Sequence, residues 1–168
     1  MEFICGNRVL RRARIAHRAL ESISQTISAP LLETPSAVAG VWQEYQQSKK
    51  RIEDLEARLL DYEAAEFPVS DGFAVATFKN RGIETLKALA LRIAKRPGII
   101  VLLADESDQL RVVFGRSADV NVDVNALLKK TIERFGGRGG GRPDLAQAGG
   151  LNASSGEVVL ESAKGSLR

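Results

Sequence analysis

Two runs of apolar residues, spaced alternately three and four positions apart, constrain the first third of this chain of 168 residues. This heptad spacing is typical of helices that pack along a narrow seam. The first run comprises Val9, Ala13, Ala16, Leu20, Ile23 and Ile27, and the second comprises Val38, Val41, Tyr45, Ser48, Ile52, Leu55, Leu59 and Tyr62. The pattern predicts an antiparallel, coiled-coil-like helical hairpin over residues 7–66, joined through the segment SAPLLETPS.

The start of the second helix has its own signal. Thr34 followed by Pro35 is a favourable N-cap and first-turn pair. Because the seams are narrow and contain small alanines, the hairpin is expected to need a further packing partner. This partner is either the rest of the chain or a second copy, and we expect a homodimer.

The composition changes at FPVSDG, residues 67–72, and we place a domain from residue 69 to residue 168. Strands are predicted at 73–78, 99–104 and 110–115, and helices at 83–96, 124–135 and 155–167. The continuous apolar run IIVLLA is typical of a strand buried on both faces. A glycine-rich loop and a short strand complete the order β-α-β-β-α-loop-β-α. The whole chain is therefore predicted to be α+β, a helical hairpin followed by a compact α/β domain.

The glycine-rich segment GGRGGGRPDLAQAGG spans residues 136–150, and seven of its fifteen residues are glycine. Gly136 and Gly137 can end the preceding helix, but the next three glycines need another reason. Glycine allows a ligand to approach the backbone closely, and arginine is well suited to phosphate. A nucleotide-binding P-loop is excluded, because Arg142 and Pro143 occupy the required Lys and Ser/Thr positions and the loop follows a helix.

The net charge is only +3, but the basic residues cluster, which indicates an anionic partner. One cluster comprises Arg8, Arg11, Arg12, Arg14 and Arg18, and the other includes Lys129 and extends to Arg142. The predicted phosphate-binding residues are Gly137, Arg138, Gly139, Gly140, Gly141, Arg142, Gln147, Lys130 and Arg134. Lys79 and Arg81 are expected to reach the same site from the first loop. Aromatic residues make up 5% of the chain, so phosphate and shape recognition are favoured over base stacking.

The fifteen-residue segment resembles the signature of the DHH-associated domain at the C-terminus of alanyl-tRNA synthetases and of the longer alanyl-tRNA editing proteins. The match includes the RPD and AQAGG portions. The related DHH phosphoesterases carry a shorter GG-x-GGH form, and Arg142 stands here at the histidine position. This departure favours the tRNA-linked branch. The hairpin resembles the segment that joins the editing domain to this C-terminal unit, and residues 1–6 resemble the last strand of that editing domain.

The resemblance implies an activity whose residues this chain lacks. Editing members use a zinc site built from a His-x3-His pair and a later Cys-x3-His pair, and the phosphoesterases use an Asp-His-His core. This chain has a single histidine, His17, expected at the surface, and a single cysteine, Cys5, expected in a buried strand. We therefore predict a non-catalytic module without metal or cofactor.

Two functions remain open from the sequence. The first is a tRNA-binding and dimerising module of the editing-protein type, and the second is the substrate-binding domain of a DHH-family phosphoesterase that acts on nucleotides or oligonucleotides. No apolar run is long enough to span a bilayer, and a single cysteine fits a reducing compartment. We therefore expect a cytoplasmic protein without a membrane partner.

Overall fold

The computed structural model describes residues 7–167, so the strand predicted over residues 1–6, which contains Cys5, lies outside the described part. Within these residues, five helices and five strands follow one another. They are α1 (Asn7–Ile27), α2 (Thr34–Glu66), β1 (Phe73–Phe78), α3 (Ile83–Ile93), β2 (Ile100–Glu106), β3 (Leu110–Arg116), α4 (Val124–Phe135), β4 (Arg138–Gly141), β5 (Leu145–Gly149) and α5 (Gly156–Gly165). The predicted α+β class is confirmed. None of the described helices is both long and apolar enough to cross a membrane.

The two predicted N-terminal helices are present as α1 and α2, but one chain does not bury their seams. No residue of α1 is buried. On α2, the seam residues Val41, Tyr45 and Ile52 keep 55%, 56% and 56% of their surface exposed. Apolar side chains in this number are stabilised only when another surface removes them from water.

The start of α2 differs from the predicted N-cap. The hydroxyl of Thr34 donates to the carbonyl of Pro30 at 3.1 Å, in the turn before the helix. The first helical bond instead runs from the amide of Ala37 to the carbonyl of Glu33, at 2.9 Å. Thr34 is almost completely buried, with 1% of its surface exposed. Its role is to fix the preceding turn, because its hydroxyl is satisfied by that turn.

The five strands form one mixed sheet in the order β1-β2-β3-β5-β4. Strand β1 pairs parallel with β2, and α3 makes the crossover between them. The other neighbouring strands are antiparallel. Helix α3 packs on one face of the sheet, and α4 and α5 pack on the other.

Each central strand supplies both hydrophobic cores, because successive side chains point to opposite faces of a sheet. Leu102 of β2 and Phe114 of β3 belong to the core under α4 and α5. Leu103 and Val113 belong to the core under α3. The predicted burial of the IIVLLA strand on both faces is therefore confirmed, with the strand running to Glu106.

Two predicted boundaries were wrong. The helix predicted to end at residue 96 ends at Ile93, because the amides of Lys95 and Arg96 bond three residues back and close tight turns. The glycine-rich segment was predicted as a loop, and it contains strand β4. The observed order is therefore β-α-β-β-α-β-β-α after the two N-terminal helices.

The chain divides into two compact units, one up to Leu55 and one from Glu56 onward. The last turns of α2 belong to the second unit, because Leu60, Ala64 and Phe67 are buried with Leu86 and Ile93 of α3. Packing of the α/β unit thus already involves α2 residues that precede the sequence-based limit at residue 69. The three domain limits stay predictions.

Candidate nucleic-acid interface

The glycine-rich segment folds as a β-hairpin at one edge of the sheet. Strand β4 pairs antiparallel with β5, with Arg138 opposite Gly149 and Gly141 opposite Ala146. Beyond the strands, the amide of Arg142 donates to the carbonyl of Leu145 at 2.9 Å, and the reverse bond measures 3.3 Å. Pro143 and Asp144 form the two-residue connection between the strands. The segment that was predicted to approach a ligand is therefore an edge strand.

The register shows which backbone groups of β4 face away from the sheet. In an antiparallel pair, hydrogen-bonded and non-hydrogen-bonded residue pairs alternate. Since Arg142 and Leu145 exchange both bonds, Gly140 opposite Gln147 is also a hydrogen-bonded pair. Gly139 and Gly141 occupy the positions between, so their amide and carbonyl groups point outward. Both residues are exposed, so these groups are open to a ligand at the sheet edge.

Three of the glycines have a packing reason to be glycine. A Cβ atom on Gly139 would lie 2.2 Å from the carbonyl oxygen of Gln147, and one on Gly141 would lie 2.4 Å from that of Leu145. Gly137 has a φ of +94°, and its Cβ would lie 2.8 Å from the carbonyl oxygen of Gly149. These contacts are far too close for any side chain, so the approach of β5 itself requires glycine here.

Gly140 is the exception. The nearest atom to a Cβ at this residue is the Oδ1 of Asn125, at 4.0 Å, and its φ is not positive. Neither packing nor backbone conformation therefore requires glycine at position 140. A side chain added at residue 140 can therefore test for a ligand contact without disturbing the fold.

A groove runs along the β-hairpin formed by β4 and β5, on the side where α3 lies. It consists of two adjoining recesses of about 270 and 200 Å³, which share Gly140 and Gln147. The larger recess also contacts Ile83, Arg111 and Arg138, and the smaller one contacts Lys87 and Arg142. Helix α3 does not cover this part of the sheet. Side chains alternate along β5, so Ala146 and Ala148 face the opposite core and Gln147, between them, faces the groove.

Two cations of the groove were missed in the sequence. Arg111 lies on β3 directly opposite Gly149, and Lys87 lies on α3. Both are far from residues 136–150 in sequence, and only the sheet order brings them to the groove. The alternation of LRVVFG, which buries Val112 and Val113 in the two cores, leaves Arg111 at the open end of its strand.

Arg138 of β4 and Arg142, which directly follows the strand, are available to an anion. Within residues 7–167, the guanidinium of Arg138 has no hydrogen-bond or ion-pair partner, and the residue is exposed. The guanidinium of Arg142 pairs with Asp144 through an Nη2–Oδ2 distance of 3.1 Å, and its side chain is 72% exposed. Such an exposed pair contributes little to stability, so Arg142 can exchange this partner for a phosphate at small cost.

The structure does not bring Lys130 and Arg134 to this groove. They lie on α4, which packs against the other side of β4 and β5, and neither contacts the two recesses. Arg134 donates to the hydroxyl of Ser162 on α5 at 2.8 Å. Lys130 and Arg134 are close to Arg138 in the sequence, but they do not share a surface with the groove on the α3 side.

Gln147 lies at the centre of the groove, where the two recesses meet. Its side-chain oxygen is buried and has no hydrogen-bond partner among the described residues. A buried carboxamide oxygen without a partner is costly, and such groups are usually satisfied. The half-buried Gln147 lines the groove, but a molecule there reaches its buried oxygen only if the side chain turns.

Arg81 does not reach the predicted site. Its guanidinium binds both carboxylate oxygens of Glu63 on α2 and lies 4.6 Å from the ring centroid of Phe78. Its amide donates to the buried carboxylate of Asp105 at 3.0 Å. Arg81 thus connects α2, β1 and the loop before α3, and its role is structural.

We expect Glu63→Gln to lower the free energy of unfolding by about 1–2 kcal/mol, because it breaks a charge-assisted pair whose side chains are only 20% and 28% exposed. Chemical denaturation of the variant and of the wild-type chain measures this difference. Glu66→Gln removes the same charge from an exposed residue of the same helix and serves as the control. Equal stability of Glu63→Gln and the wild-type chain would contradict the structural role.

The described residues contain no group of three or more His, Cys, Asp or Glu side chains that could hold a metal ion. His17 is exposed and lies 3.3 Å from the carboxylate of Glu21, one helical turn further on. This agrees with its predicted place at the surface. Cys5 lies outside the described residues.

The chain belongs to the DHHA1 domain family, since the model of that family matches residues 71–168 and thus includes the whole hairpin and groove. The predicted resemblance is confirmed. Alanine–tRNA ligases are among the relatives that the chain matches. It is 28% identical over 174 residues to that of Hydrogenovibrio crunogenus, covering 98% of this chain and 20% of the ligase. It is 27% identical over 165 residues to that of Pyrococcus abyssi, covering 95% of this chain and 18% of the ligase.

A solved structure agrees with this assignment. The C-Ala domain of Aquifex aeolicus alanyl-tRNA synthetase matches with a TM-score of 0.53 at 26% sequence identity. The match covers 58% of this chain and 93% of that domain. This chain spans about a fifth of the length of the ligases it matches.

Proposed function

We propose that this chain is a non-catalytic tRNA-binding and dimerising module, and that the edge strand β4 with its groove contacts the tRNA backbone. The observation that carries the proposal is the free guanidinium of Arg138 beside the outward amides of Gly139 and Gly141. Backbone amides and arginine are the donors that bind phosphate oxygens. Relatives over nearly the whole chain are alanine–tRNA ligases, which supports tRNA as the source of these phosphates.

The donors lie along one line. Arg138 begins β4 and Arg142 directly follows its last residue, so the two arginines are four residues apart with the two outward amides between them. At about 3.3 Å per residue, the line is roughly 13 Å long. A line of this length spans more than one phosphate, so it suits a nucleic-acid backbone. The exposed carbonyls of the same strand offer acceptors to ribose hydroxyls.

The alternative function, substrate binding for a DHH-family phosphoesterase, has one observation in its favour. The larger recess, about 270 Å³, combines Arg111 and Arg138 with the half-buried side chain of Gln147, a set that suits a single nucleotide. A module for tRNA and a module for nucleotides differ in the smallest ligand that binds with full affinity.

This difference can be measured with the full chain. We expect labelled tRNA to bind saturably and to be displaced by unlabelled tRNA, but not by 5′-phosphorylated dinucleotides at a hundredfold higher concentration. Dinucleotides that compete at concentrations similar to tRNA would favour the phosphoesterase alternative. No binding of tRNA at any salt concentration would contradict the proposed function.

Dimerisation is proposed from the exposed seam of α2. We expect the full chain to form a dimer in light scattering at micromolar concentration. Burial of an isoleucine side chain contributes about 1.5–3 kcal/mol, so Ile52→Glu should weaken the dimer by roughly tenfold or more. Gln47→Glu adds the same charge to the same helix outside the seam and should leave the dimer intact. A monomeric wild-type chain at high micromolar concentration would contradict the proposal.

A further inference from the structure

Helix α1 carries a set of arginines that the groove in the second compact unit does not use. Arg8, Arg11, Arg12, Arg14 and Arg18 all lie in the first four turns and are exposed. Three of them, Arg11, Arg14 and Arg18, line one common surface recess, and we call these three the arginine face. None of them has an ion-pair partner among the described residues. The only acid of the helix, Glu21, contacts His17.

This arrangement works against the stability of the helix. The N-terminal end of a helix carries a partial positive charge, so acidic side chains stabilise the first turn and basic ones destabilise it. Helix α1 has no acid in its first turn and no base in its last turn, which is the reverse of the favourable distribution. These arginines oppose the helix dipole, and nothing within the described structure offsets their effect. Such an unfavourable arrangement points to a functional reason for the charges.

The arginine face and the apolar seam lie on opposite sides of α1. At 3.6 residues per turn, Arg11, Arg14 and Arg18 are centred about 170° from the row that contains Val9, Ala16 and Ile23. Whatever surface covers the seam therefore leaves the arginine face open. The three arginines extend over about 10 Å along the helix axis, because each residue adds about 1.5 Å.

We propose that the arginine face of α1 is a second, separate binding surface for the phosphate backbone of double-stranded RNA. Guanidinium groups bind phosphate through paired hydrogen bonds and keep their charge at every physiological pH. Double-stranded RNA is recognised mainly by shape and by its phosphates and 2′-hydroxyls, which requires no base-specific groups. An anionic membrane is the less favoured partner. Helices that lie on membranes bury Trp, Phe and Leu, whereas the seam of α1 has no aromatic residue and includes Ala13 and Ala16.

The test uses the full chain and a blunt RNA duplex of about 20 base pairs, a length near the reach of a double-stranded RNA-binding domain. The variant R11Q/R14Q/R18Q removes the face, and glutamine keeps a similar helix propensity. The control K49Q/K50Q/R51Q removes the same three charges from exposed residues of α2, which are followed there by acids. Circular dichroism confirms that both variants keep their helices.

We expect the α1 variant to bind the duplex about tenfold or more weakly near 0.1 M salt. Its plot of log affinity against log salt concentration should be shallower by about 2–3, since up to three fewer counterions are released. The control should stay within about twofold of the wild-type chain. An α1 variant within twofold of wild type, an equal loss in the control, or a wild-type chain that does not bind the duplex would overturn the proposal. So would binding to phosphatidylserine vesicles that depends on these arginines and exceeds the binding to RNA.

The outcome is separable from that of the groove. If Arg138→Ala weakens tRNA binding while the α1 variant leaves duplex binding unchanged, only the second surface is refuted. If the α1 variant loses duplex binding while Arg138→Ala has no effect on tRNA, the groove proposal fails and the second surface stands.

Discussion

Replacing Arg138 by alanine is expected to weaken tRNA binding by about 1–3 kcal/mol, which is roughly 5- to 150-fold in affinity. The guanidinium of Arg138 has no partner in the described structure, so its full donor capacity is available to a phosphate. The slope of log affinity against log salt concentration should also become shallower by about 0.9 for each phosphate that the variant no longer neutralises. Fluorescence titration at several salt concentrations measures both quantities.

Two further variants at the same edge provide internal controls. Arg142→Ala should have a smaller effect than Arg138→Ala, because Arg142 must first leave Asp144. Asp144→Asn should act in the opposite direction and strengthen binding a few-fold, since it releases Arg142 and removes a negative charge beside the phosphate. If both arginine variants bind tRNA with unchanged affinity, the hairpin is scaffolding and does not contact the ligand.

The second large effect is a difference in stability between alanine variants of two adjacent glycines, Gly139 and Gly140. Gly139→Ala should lower the free energy of unfolding by about 1–3 kcal/mol, because its Cβ would lie 2.2 Å from the carbonyl oxygen of Gln147. Gly140→Ala should leave the melting temperature nearly unchanged, since nothing lies closer than 4.0 Å to its Cβ. Thermal melting of the two single-methyl variants therefore tests the register of β4 directly. Equal stability of the two would contradict that register.

A larger side chain at position 140 then tests the ligand. Gly140 lines both recesses and lies between the two outward amides, so Gly140→Val should obstruct a backbone that approaches β4. We expect tRNA affinity to fall about as much as in Arg138→Ala, with no change in charge and little change in melting temperature. Gly140→Val with wild-type affinity would show that the ligand does not approach the strand at this point.

Much of the α/β unit was predictable because its elements have strong local signals. The strand at 73–78 and the helix at 124–135 coincide with β1 and α4. The apolar run beginning at Ile100 is long and uninterrupted, as burial on both faces requires. The motif at 136–150 led to the family, since its residues are specific even without knowledge of their conformation.

Strand β4 could not be predicted from local signals. Three consecutive glycines have no side chains whose alternation would reveal a strand, and glycine disfavours strands on its own. The strand exists because β5 presents Ala146 and Ala148, whose small side chains allow a close backbone approach. Gly139 and Gly141 are therefore glycine because of the partner strand β5. Of the three consecutive glycines, only Gly140 has no packing reason to be glycine. The ligand contact expected from the sequence is therefore needed to explain Gly140 alone.

The sequence by itself determined the elements other than β4, the two apolar seams and the motif, because each is written in residues close together along the chain. Only the tertiary structure decided which charges share a surface. Lys130 and Arg134 precede Arg138 by a few residues yet lie on the helix that packs behind the sheet, while the distant Arg111 lines the groove. Arg81, predicted at the site, lies in a loop and is held instead by Glu63 on α2. Charges that are close in the sequence share a surface only when their elements lie on the same face of the sheet. The order of the strands and the packing of the helices decide which face that is.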